Sequence, residues 1–166
     1  MAKTITTSPV MSDGALRSAL GKLQGYVTDA VFNSGALAIG SGSKKKIKIA
    51  NTVYSYIDGV FVTKTTEEET LTSAHNVTNA KFNVLVVSMS SAGTVTVSAG
   101  TEGATLAAVV APTIPTGNVV LGFVIINPTG TGNFVGGTTD LDDATVAPGA
   151  VYVNTTYPFN PAALSL

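Results

Sequence analysis

The chain has 166 residues and a formal net charge of −1, and 11% of its residues are charged against 45% hydrophobic. That balance excludes a binder that works by neutralising nucleic-acid phosphates, and the absence of cysteine excludes disulfides and thiolate metal sites. The length suits one domain with a sizeable core. Residues 1–11 carry Thr, Ser and Pro without a period and read as an extended arm. Ser12 or Asp13 then caps a predicted helix from Gly14 to about Asn33. Leu16, Leu20, Leu23, Val27 and Ala30 recur in it at alternating spacings of four and three, a two-heptad seam. Such a seam either joins subunits of an oligomer or packs on the protein's own sheet, and two heptads do not choose between them. Asn33-Ser34-Gly35 supplies the stop.

After Gly35 the pattern changes to strands and turns. Lys46-Ile-Lys-Ile-Ala50 alternates as a half-buried strand does. Thr52–Ile57 and Val60–Lys64 flank Asp58-Gly59, a strong hairpin signal. Lys81–Met89 and Thr94–Ser98 flank Ser90-Ser-Ala-Gly93, a second hairpin. Val119–Ile126 and Val151–Thr155 read as further strands. Phe82–Met89 and Val119–Ile126 are apolar on both faces, so each requires a second cover from the arm, the helix or a neighbouring subunit. The expected architecture is mainly β: an antiparallel β-sandwich or barrel-like domain over residues 36–166. It is preceded by an arm and one short oligomerisation α-helix over residues 1–35.

The charged fraction is less than half the usual share of about 25%, which suits a subunit whose surface is covered by partners. MAKTITTSPVMSDG lacks an apolar core of signal-peptide length, and no window approaches the roughly 18 apolar residues of a membrane span. A soluble protein made without an export signal, with no membrane or nucleic-acid partner, is expected.

Catalytic signals are sparse. His75, the single histidine, lies in Thr72-Ser-Ala-His-Asn-Val-Thr78, which reads as a solvated loop with no nucleophile motif nearby. Glu67-Glu68-Glu69 reads as a solvated acidic loop. Lys44, Lys45, Lys46 and Lys48 form the one basic cluster, suited to an acidic partner surface, to a phosphate or to protecting a sheet edge. Asn76-Val-Thr78 and Asn154-Thr-Thr156 match the glycosylation pattern, but no secretory signal accompanies them.

The stretch Ile126–Asp143 poses a sharper question. Its Gly130-Thr-Gly132-Asn-Phe-Val-Gly136 spacing is one residue too long for a dinucleotide fingerprint, and no helix follows to receive a pyrophosphate. Asp140, Asp142 and Asp143 lack the order of an EF-hand, leaving only a calcium site built partly from backbone carbonyls. No cofactor is expected. The stretch reads best as a long inter-strand connection.

Pro112-Thr-Ile-Pro-Thr-Gly117, Val120-Leu-Gly-Phe-Val-Ile125 and Phe134-Val-Gly-Gly-Thr-Thr-Asp-Leu141 precede Val151-Tyr-Val153. They follow Tyr54-Ser-Tyr-Ile-Asp-Gly59 and the strand Phe82–Met89. Over roughly residues 45–157 this succession resembles the small virion proteins of tailed bacteriophages that decorate the head or form short head fibres. The resemblance implies an all-β structural protein without an active site, often a homotrimer. It would be made in the host cytoplasm and bound to the major capsid protein or other virion proteins on the outer capsid surface, with Lys44, Lys45, Lys46 and Lys48 as a candidate capsid-contact cluster. The alternative is a tail-fibre or lectin-like module in which Tyr54, Tyr56, Tyr152 and Tyr157 offer aromatic faces to a glycan.

Overall fold

Asp58 and Gly59 both take positive φ, 49° and 80°, the handedness a two-residue hairpin turn requires. They join β4 (Val53–Ile57) to β5 (Val60–Lys64), as the Asp-Gly signal predicts. The computed structural model describes residues 29–155. Its other strands are β1 (Asp29–Val31), β2 (Leu37–Ile39), β3 (Lys46–Ile49), β6 (Glu67–Thr70), β7 (Asn83–Ser90), β8 (Val95–Ala99), β9 (Asn118–Ile126) and β10 (Val151–Asn154). They form three antiparallel sheets, ordered β1-β4-β5, β2-β3-β6 and β10-β9-β7-β8. The expected antiparallel, mainly β architecture is observed.

Two expectations are corrected. The helix does not reach Asn33, because Asp29–Val31 is β1 and pairs with β4. Phe32 N–H donates to the Tyr54 carbonyl at 2.9 Å and continues that ladder. Ala30 therefore lies on a strand opposite Tyr56, while Leu16, Leu20, Leu23 and Val27 fall outside the described residues. A β-branched and an aromatic residue with a ladder partner at hand outweigh a helical period. Among the described residues the only helical turns are 3-10, Ser73–His75 and Leu106–Ala108. Glu67-Glu68-Glu69, expected as a loop, is strand β6. It pairs with β3 so that Glu68 faces Lys48, an opposite-charge cross-strand pair.

One core draws on all three sheets: Leu37 from β2, Ile47 and Ile49 from β3, Val53 and Ile57 from β4, and Leu85, Val87, Met89, Leu121 and Val124 from β7 and β9. The period of two puts alternate residues of β7 on opposite faces. Val84 and Val86 accordingly join Val120 in a second cluster on the outer face. That cluster is packed by Val109 and Ile114 from the connection between β8 and β9, so the second cover predicted from sequence comes in part from this connection, not from the arm, helix or neighbouring subunit that was expected to supply it. A bulge between β7 and β9 leaves Leu121 as an extra residue, since Val87 faces Gly122 and Ser88 faces Val120. Thr155 meets it, with both N–H and Oγ1 donating to the Leu121 carbonyl at 3.3 and 2.9 Å.

Candidate interaction surface

The connection from Asn127 to Ala150 is a structural closure. Phe134, Leu141 and Ala147 from it are buried in the main core. Gly136 N–H donates to Asn76 Oδ1 at 3.0 Å, and Asn79 N–H to Asn133 Oδ1 at 2.9 Å. Its glycines serve close approach as much as turning. A Cβ on Gly130 would lie 1.6 Å from the Thr145 carbonyl oxygen, and one on Gly136 2.1 Å from that of Thr72. Asp143 Oδ1 accepts from Thr145 and Val146 N–H at 2.8 and 3.1 Å, an Asx-type turn. Asp142 accepts from Lys44 Nζ at 2.6 Å. Among the described residues no three carboxylate or imidazole side chains gather into a metal-holding group.

The lysine cluster is divided by its surroundings. Lys44 carries the exposed ion pair with Asp142, and that hydrogen bond, followed by the carboxylate's charge, raises its pKa above the usual lysine value. Lys48 Nζ donates to Ser41 Oγ at 2.7 Å, with Glu68 across the ladder. Lys46 stands opposite Thr70, and Lys45 holds β6 in place by accepting Leu71 N–H on its carbonyl. Glu68 Oε1 in turn accepts from Ser41 and Gly42 N–H at 2.6 and 3.0 Å. Those two backbone bonds hold its carboxyl below the ordinary range. Glu69 is shifted upward, first by burial and then by Glu67. Lys64 Nζ meets Glu67 Oε2 as an ion pair without an aligned hydrogen bond. Lysines and carboxylates therefore interleave over β3 and β6, and because β3 is the middle strand of its sheet, Lys46 and Lys48 serve cross-strand pairing rather than the expected edge protection.

His75 is buried, which corrects the solvated-loop expectation. Its Nδ1 accepts Thr72 N–H at 2.9 Å, closing a capping box, and its Nε2 lies 3.0 Å from the Val97 carbonyl. The backbone acceptor fixes the neutral Nε2–H tautomer, and with both ring nitrogens engaged the imidazole ties the 3-10 turn to β8.

Two surfaces are apolar and open. On the β1-β4-β5 sheet, Phe32, Tyr54 and Phe61 are 46%, 45% and 59% exposed. Phe61 stacks on both neighbours, at 6.4 Å from Phe32 and 6.3 Å from Tyr54, with ring planes within 21°. Tyr56 stands opposite Phe61 in the ladder. The second surface is a groove of about 570 Å³ on the outer face of β7, β9 and β10, lined by Val84, Phe123, Ile125, Val153 and the Leu106–Val109 turn. Sequence reasoning offered Tyr54 as an aromatic face and marked β7 and β9 as apolar on both sides, but it missed Phe32, Phe61 and the Leu106–Val109 wall, because alternation identifies a face without saying what lies beside or over it. Of the other tyrosines, Tyr152 is half-buried, its hydroxyl pushed up to about 12 by burial and then by Asp142; Tyr157 falls outside the described residues. Among the described residues no helix is long and apolar enough to cross a membrane. No protein-family model, curated protein or solved structure matches the chain.

Proposed function

We propose that this chain is a structural virion protein, a capsid decoration or head-fibre subunit that binds the assembled phage head through oligomeric contacts. The observation that carries the reading is the exposed row Phe32–Phe61–Tyr54. Contacting aromatic rings held on a rigid sheet lose little side-chain entropy on docking and offer the residue types that dominate protein interfaces. The low charge content supports the same reading, as does the resemblance over residues 45–157. In this reading residues 1–11 reach onto neighbouring shell proteins, and Leu16, Leu20, Leu23 and Val27 join the subunits, as a trimer. Several weak contacts per oligomer then combine through effective concentration. The lysines, interleaved with carboxylates, contribute less than the rings.

Co-sedimentation with assembled heads tests this. The wild-type chain pellets with heads, and the Tyr54→Ser/Phe61→Ser double variant, altered only at exposed positions, remains in the supernatant. Failure of the folded wild-type chain to pellet overturns the proposal.

The same row favours one second reading, a glycan-binding module, because exposed ring faces also stack on sugars. Specific, saturable binding on a glycan array that is lost in the same double variant would select it.

A further inference from the structure

β5 forms one edge of the β1-β4-β5 sheet, and the ladder shows which of its backbone groups face outward. Tyr54 directs its main chain toward β1: its carbonyl accepts Phe32 N–H at 2.9 Å, and its N–H donates to Asn33 Oδ1 at 2.8 Å. These directions alternate along an antiparallel ladder, so Val53, Ser55 and Ile57 bond toward β5. Phe61 and Thr63, opposite Tyr56 and Tyr54, therefore aim their N–H and C=O groups away from β4. Among the described residues none of these groups has a hydrogen-bond partner. Val60 and Phe61 are 48% and 59% exposed, and Thr63 is exposed as well.

Other edges carry a device that blunts pairing. β6 is built from Glu67, Glu68, Glu69 and Thr70. The Val97 carbonyl of β8 lies 3.0 Å from His75 Nε2, and Leu37 N–H of β2 donates to Asn154 Oδ1 at 2.5 Å. Over Val60–Thr63, β5 carries no charge, proline or bulge. Its outward groups are also self-complementary. With a two-fold axis at Val62, Phe61 stands opposite Thr63 of a second copy and Thr63 opposite its Phe61. Each pair then exchanges both N–H···O bonds, and every outward group of both strands is used. Lys64 comes opposite Val60 of the second copy, so no like charges meet directly. The two Phe61 rings take diagonal positions about 7–8 Å apart, within reach of aromatic side chains.

We propose that the β5 edge pairs antiparallel with β5 of a second copy of this chain, about a two-fold axis at Val62, so that the two sheets run on as one. The contact joins two short strands and is smaller than a standard protein interface, so the pairing is weak and depends on concentration. It uses the edge of the sheet and leaves the ring face free, and so stands apart from the function proposed above.

The cysteine-free chain makes cross-linking the direct test. Full-length Val60→Cys and Lys64→Cys proteins, one carrying a size tag, are mixed at high concentration, oxidised and run on a non-reducing denaturing gel. In the proposed register the two positions face each other at about 4.5 Å between Cα atoms, within disulfide reach. Either position lies about 14 Å from its own counterpart, out of reach. The expected result is a heterodimer several-fold more abundant than random collision would give. Thr63→Pro, built into both proteins, removes an N–H that faces the open edge and should cut the heterodimer several-fold with the circular dichroism unchanged. Thr63→Lys, which sets two cations on the diagonal, should do the same and replaces the proline variant if that one fails to fold. A random mixture of cross-linked species would overturn the proposal, as would a heterodimer that survives the Thr63 change in folded protein. The absence of any heterodimer would overturn it too, and leave the edge to a strand from a different protein.

Discussion

Val77 and Phe134 exchange both backbone hydrogen bonds, each at 2.9 Å, across 57 positions of sequence. This bridge places the Phe134 side chain, fully buried, in the main core. The long connection after β9 is thereby a core element rather than a decoration. Phe134→Ala should cost about 3–5 kcal/mol, the range for emptying a buried aromatic site. Urea denaturation followed by circular dichroism checks this; a loss under 1 kcal/mol would mean the connection does not hold the core.

Three glycines in the same connection separate close approach from flexibility. Gly130→Ala and Gly136→Ala drive a methyl into a backbone carbonyl and should each destabilise by about 1–3 kcal/mol or more. Gly149→Ala meets nothing within 4 Å. It should be neutral or stabilising by up to about 1 kcal/mol, because the unfolded chain loses freedom. Equal effects at Gly136 and Gly149 in thermal melts would contradict the packing described.

His75 should show the Nε2–H tautomer in a long-range ¹⁵N correlation spectrum, with Nδ1 unprotonated, because Nδ1 accepts Thr72 N–H. His75→Ala leaves that N–H without its acceptor and should cost about 1–3 kcal/mol. A surface histidine with averaged tautomers and a neutral alanine variant would return it to the solvated loop the sequence suggested.

The two shifted carboxylates on β6 predict opposite pH behaviour. Glu68 is held below 4.5 by the Ser41 and Gly42 N–H groups. Its stabilising contribution is present above about pH 4.5 and is lost as the pH falls through its folded value. Glu68→Gln should therefore be less stable than wild type at pH 7, with the gap closing in acid. Glu69 is raised above 4.5 by burial and by Glu67. The folded state retains its proton longer, so its effect costs stability as the pH rises through the folded value. Glu69→Gln should gain stability at pH 7 and match wild type below about pH 4.5. Denaturation midpoints at pH 3.5 and 7 read both signs; variants moving in the same direction at pH 7 would contradict the assignment.

What the sequence made legible was local. Asp58-Gly59 and Ser90–Gly93 carry their own turn chemistry, so both hairpins could be placed, and the doubly apolar β7 and β9 announced a cover on each face. β6 was not legible, because three glutamates have low strand preference and are held there by β3, whose lysines lie some twenty positions away. The helical period near Ala30 was outweighed by a ladder partner on β4, which no local window contains. The aromatic row combines a residue of β4, one of β5 and the residue that follows β1, whose neighbourhood is set by tertiary pairing. Phe32, Tyr54 and Phe61 show no shared spacing that would have joined them in advance.

If, as proposed, this chain buries surface on a virus head, electron microscopy of the particle that carries it should show density for the β domain on the outer head surface, with the face bearing Phe32, Tyr54 and Phe61 turned into a contact. Density in the tail, or a head-bound domain with those rings in open solvent, would contradict it.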